Sequence, residues 1–155
     1  GYSVGEEAIF SFEILRNAQN VKFADKVIYH YVQNSNGQHT KGDKDPWHPM
    51  VTAMKNHLQE IGEYEKYKKS LNSLALKAIS IGMYRCTMNT NVTDAIKFMS
   101  NLHKEYSEEF DIKTFDKESL DTATRCVLEM LNCKAYLLIY IASRLRKSKQ
   151  DKLRG

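Results

Sequence analysis

Apolar residues recur at helical spacing along most of this chain. Between residues 5 and 18, Ala8, Ile9, Phe12, Leu15 and Ala18 follow that rhythm, with Glu6 and Glu7 at the start, where a helix dipole favours acids. Asn17 to Asn20 supplies a stop. Val21-Lys22-Phe23 then alternates as a short strand, Asp25-Lys26 marks a turn, and the β-branched and aromatic run from Val27 to Val32 carries the strongest strand signal. The polar stretch from Gln33 to Asp45, with Gly37 and Gly42, reads as a loop.

Beyond that loop the pattern predicts only helices. Pro46 and Pro49 suit a first turn, and Met50, Met54, Leu58 and Ile61 form one stripe that stops at Gly62. A second helix is expected over 63–88, with Tyr64, Tyr67, Leu71, Leu74, Ala75, Ala78 and Ile81 inward. Asn91 or Thr93 caps a third, carrying Ala95, Ile96, Met99, Leu102 and Tyr106. Asp116 and Ser119 precede a fourth, with Leu120, Ala123, Val127, Met130 and Leu131. A last helix starts near Asn132 and carries the apolar run Ala135 to Ala142 into a basic end.

The expected fold class is therefore mainly α: a short helix and a β-hairpin remnant over 1–44, then a helical bundle over 45–155. A lone helix and hairpin cannot bury themselves, so the first segment suits the end of a larger α/β domain. The opening on Gly1 rather than Met, in the middle of a motif, fits the same expectation of a piece of a longer protein.

Composition changes this picture little. Apolar content of 42% and charged content of 27% suffice for a core. No run approaches the roughly 20 apolar residues of a spanning helix, and residues 1–12 lack the basic start and apolar stretch of a signal peptide. Cys86, Cys126 and Cys133 have no Cys-x-x-Cys spacing and sit in helical, apolar contexts, so buried thiols are expected rather than metal ligands or disulfides, as suits a reducing cytoplasm. The net charge of +4 is uneven: six Lys and Arg from Arg144 onward face a single acid, Asp151, so the tail is basic and the body neutral.

The stretch GEEAIFSFEILRNAQNVKFADKVIYHYVQNSNGQHT resembles the closing segment of bacterial family 2 glycosyltransferases, which are inverting enzymes of the GT-A type. The family pattern is Gly-Glu-Asp, a Phe, a helix ending in Ala, a spaced hydrophobic-Asp-hydrophobic run ending Tyr-x-Tyr, and a polar loop. Gly5-Glu6-Glu7, Ala18, Val21, Phe23, Asp25, Tyr29, Tyr31, Ser35 and Gly37 fall in its register. The resemblance covers about the first 40 residues; the helical remainder is similar, more loosely, to C-terminal helices of polysaccharide-building members.

What the resemblance implies is sugar transfer from a nucleotide-sugar donor to a glycan or lipid-linked acceptor, in cell-surface or capsular polysaccharide synthesis. Inverting transfer is a single displacement, so a carboxylate must take the acceptor hydroxyl's proton. The matching position is Glu7, where the family usually has Asp, with Glu6 as the alternative; the plain reading of both is as acids at a helix N-terminus. His39, in the loop the family places near the donor diphosphate, is the candidate charge partner or third metal ligand. Trp47 is either a packing anchor where the bundle meets the transfer domain or an acceptor-stacking platform. The donor-binding sheet and the Asp-x-Asp metal motif have no counterpart here, and Asp43-Lys44-Asp45 lies in the wrong place for one. A divalent cation, Mn or Mg, is thus expected in the full-length enzyme and no metal or donor in this piece.

The run Tyr136 to Ile141 before Arg144, Arg146, Lys147 and Lys149 fits an interfacial helix at an anionic membrane surface, on the inner face of the cell membrane, or else a core helix with a solvated basic end. Nucleic acid is not expected, because the charge is terminal rather than spread over a face. The alternative to a transferase is a non-catalytic helical interaction module or a membrane-peripheral one. That reading leaves the motif spacing from Gly5 to Tyr31 unexplained.

Overall fold

The computed structural model describes residues 7–22, 45–88 and 90–154. Six helices follow in order among them: α1 (Glu7–Asn17), α2 (His48–Glu60), α3 (Tyr64–Cys86), α4 (Val92–Glu109), α5 (Thr122–Asn132) and α6 (Tyr136–Arg154). No strand occurs among the described residues. Val21 and Lys22 are irregular, and the rest of the expected hairpin, including the run 27–32, lies outside them.

Local chemistry sets the helix ends. Pro49 occupies the first turn of α2, where its missing N–H costs nothing. Gly62 ends α2 in the left-handed region at φ 72°. Its N–H reaches Gln59 O at 3.1 Å, and Glu63 N–H reaches Leu58 O at 2.9 Å, the paired bonds of a Schellman stop. Asn91 caps α4 by accepting from Asp94 N–H at 2.9 Å. The fourth expected helix starts later than its sequence signals suggest. Asp121, not Asp116 or Ser119, is its cap, with Oδ1 2.8 Å from Thr124 N. Between α5 and α6 the chain turns through Lys134 at φ 52°, with Lys134 N–H on Leu131 O and Ala135 N–H on Met130 O, both at 2.8 Å. A Cβ-bearing residue is strained there, and without a glycine the sequence does not announce the stop, so the last helix begins at Tyr136 rather than near Asn132.

Helix α3 is the spine, packed against α2, α4, α5 and α6. It buries Leu71, Ala75, Leu76, Ala78, Ile79, Met83 and Cys86, so its inward face is wider than the stripe first expected, while Ile81 is 38% exposed. Gly82 lets α4 approach closely: a Cβ there would stand 3.0 Å from Leu102 Cδ2. Two buried polar residues of α3 hold the 110–121 segment. Asn72 Nδ2 donates to Thr114 O at 2.6 Å, and Ser73 Oγ accepts from Asp116 N–H at 2.9 Å. Phe110, Ile112 and Leu120 of that segment plug the core from its end. Burial of the cysteines holds only for Cys86; Cys126 and Cys133 are exposed, because α5 is amphipathic and shows the core only Thr124, Leu128 and Leu131.

Candidate functional site

Helix α1 carries the candidate base, and its two sides differ. Ala8, Ile9 and Phe12 pack towards the bundle, although no residue of α1 is fully buried. Phe12 meets Tyr67 edge-on at 5.1 Å between ring centroids and His57 at 6.3 Å. Glu13 Oε1 lies 2.7 Å from His57 Nε2, and Arg16 bridges Glu13 at 2.8 Å and Glu63 at 3.3 Å. The contacts that leave α1 join residues 44 to 55 positions apart and fasten it to α2 and to the start of α3.

Among the described residues the opposite side of α1 has nothing comparable. Glu7 is exposed in the first turn, and Phe10 and Ile14 follow it at i+3 and i+7, on the same line of the helix. Phe10 is 67% and Ile14 52% exposed, with Leu15 and Val21 also open. Leu15 and Ala18, which share the helical rhythm of Phe12, are exposed, because α1 turns its Phe12 side to the bundle.

The Glu13 carboxyl is held below the usual carboxylate range, first by the Arg16 guanidinium and then by His57. A depressed acid stabilises docking above its ordinary pKa and loses that contribution as pH falls through the depressed value. The ring cross-peak between Phe12 and Tyr67 in NMR spectra should therefore persist through the ordinary carboxylate range and fade only on further acidification. In Glu13→Gln it should already be weak at neutral pH and change little on acidification. An acid-insensitive cross-peak in the parent chain would show that the apolar contacts alone dock α1.

A second polar cluster lies at the other end of α2. Asp45, half-buried, accepts from the Tyr106 hydroxyl at 3.2 Å. Burial pushes its carboxyl above the ordinary range, with the Tyr106 hydroxyl and His48 opposing that shift. His48 Nε2 stands 2.8 Å from Glu109 Oε2, and Thr52 Oγ1 donates to Glu109 Oε1 at 2.7 Å. The His48 ring lies 4.7 Å from Tyr106. Asp45 is thus built into the bundle, and Asp43 and Lys44 lie outside the described residues. Among the described residues no three His, Cys, Asp or Glu side chains gather as a metal site.

Glu6 and His39 lie outside the described residues. Trp47 occupies the N-cap position of α2, half-buried and packed on the core. Of the four basic residues expected at the tail, two also bind the bundle. Arg144 Nη1 donates to Thr87 O at 3.2 Å, and the Arg146 guanidinium lies 5.1 Å from the Tyr84 ring centroid. The pairings of His48 and His57 had no sequence signal, since each joins an acid from a different helix. No family model, curated protein or solved structure matches this chain.

Proposed function

We propose that this chain is the closing part of an inverting nucleotide-sugar glycosyltransferase, with Glu7 as the acceptor-activating base and 45–155 as a helical buttress. The observation that carries this reading is the two-sidedness of α1. One side is fastened to the bundle, while Glu7, Phe10 and Ile14 share the other and stand open. Exposed aromatic and aliphatic residues in line with a carboxylate fit a helix whose outer face packs on the donor- and acceptor-binding part of the enzyme. That part would hold the nucleotide sugar and its Mn or Mg ion, and Glu7 would reach the acceptor hydroxyl at the seam. Cell-surface or capsular glycan building at the cytoplasmic face of the membrane is the setting this implies. His39 and Trp47 are the residues proposed to meet the donor diphosphate and the acceptor.

The test compares the isolated chain with the intact protein that contains it. Calorimetry with uridine- or thymidine-diphosphate sugars and manganese should give no saturable heat for the isolated chain. The intact protein should bind one donor saturably and transfer its sugar. Micromolar donor binding by the isolated chain would overturn the division of labour. An intact protein that binds no such donor would leave the same open face to a non-catalytic interaction module.

A further inference from the structure

Helix α6 has one face that the bundle does not use. Ile139 is buried, Tyr136 and Tyr140 pack on the core, and Leu137, Leu138, Ile141 and Leu145 are 51%, 56%, 45% and 67% exposed. At 3.6 residues per turn these four fall in a sector about 100° wide, opposite Ile139. The line Leu138, Ile141, Leu145 continues in steps of four and three to Lys149 and Lys152, both exposed. The outer stripe is therefore apolar in its first half and cationic in its second. Arg144, Lys147, Ser148 and Lys152 also line a shallow open cleft beside it.

We infer that this stripe is a docking surface for an anionic lipid bilayer, with α6 lying flat in the headgroup region. Leu137, Leu138, Ile141 and Leu145 enter the acyl boundary, and Lys149 and Lys152 meet headgroup phosphates. Charge decides the occupant. A second copy would set lysines against lysines in a parallel pairing, whereas an anionic surface satisfies both halves of the stripe at once. A convex single helix also suits a plane better than a groove. No helix among the described residues is long and apolar enough to cross a membrane, so the contact is peripheral. Arg144 and Arg146 serve by fixing α6 on Thr87 and Tyr84, so that the stripe faces outward. This surface needs neither Glu7 nor a donor, and it stands or falls independently of the transfer reaction.

Cosedimentation of the chain with vesicles tests it. Phosphatidylglycerol–phosphatidylcholine vesicles should bind the chain strongly at low salt and less, but still measurably, at high salt, while pure phosphatidylcholine should bind it weakly. Each cation near an anionic leaflet contributes about 1 kcal/mol, so Lys149→Gln with Lys152→Gln should lower partitioning about 25- to 30-fold and flatten the salt dependence. Ile141→Asn with Leu145→Asn, at exposed positions where helix content should be kept, should abolish the salt-resistant remainder. Equal binding to neutral and anionic vesicles, or lysine variants that bind like the parent, would overturn the inference. So would a concentration-dependent dimer abolished by Ile141→Asn, which would assign the stripe to a second copy.

Discussion

Replacing Glu7 by Gln in the intact protein should, on the proposed transferase reading, lower sugar-transfer turnover by about 10²–10⁴ while leaving the bundle folded. The size follows from the proposed chemistry. Without a carboxylate at the acceptor hydroxyl the proton must leave to water, and an amide of the same shape cannot accept it. The structural cost is small, because α1 is held through Phe12, Glu13 and Arg16 on its other side. An exposed first-turn acid contributes about 0.3–1 kcal/mol through the helix dipole. The measurement is kcat at saturating donor and acceptor, beside thermal melting of both forms. Loss of activity in Glu6→Gln with Glu7→Gln near normal would move the assignment one residue back. Full activity in both would remove the base from this segment, and with it the main chemical content of the proposal.

The largest stability loss should come from Tyr106→Ala. Tyr106 is fully buried, packs at a tilt against the rings of His48 and Phe110, and donates to Asp45. Truncating a buried aromatic costs about 3–5 kcal/mol, which for a chain of this size lowers Tm by roughly 10 °C. Tyr106→Phe separates the ring from its hydroxyl and should cost about 1–3 kcal/mol at neutral pH, where a half-buried carboxylate loses a donor. Because burial raises the Asp45 pKa, its contribution is most favourable below the ordinary carboxylate range and is lost as pH rises through the raised value. The penalty of Tyr106→Phe should therefore shrink on acidification, when Asp45 is protonated and asks less of the hydroxyl. Denaturant melts of both variants at neutral and acid pH check the two halves. A pH-independent Tyr106→Phe penalty would show that the bond to Asp45 is not what the hydroxyl contributes.

Several features were fixed by the amino-acid order alone, because their causes are local. The stripe Met50, Met54 and Leu58, the stop at Gly62, the Asn91 cap and the inward row Ala95, Met99, Leu102 and Tyr106 each depend on residues within a turn or two. Periodicity also located α3, while understating how much of its surface is buried. Where periodicity was silent, packing decided. The run Ala135 to Ala142 is apolar on every side, so nothing in it tells Ile139, which is buried, from Leu138 and Ile141, which are not. That phase was set by the helices α6 lies against. The turn at Lys134 carries no glycine to mark it: a lysine takes the left-handed position, and Schellman bonds offset its strain. The pairings Glu13–His57, His48–Glu109, Tyr106–Asp45 and Arg144–Thr87 link positions 44 to 61 residues apart. Partners so distant share no turn or strand. Only the approach of whole helices, driven by burial of their apolar faces, could bring them within hydrogen-bonding distance.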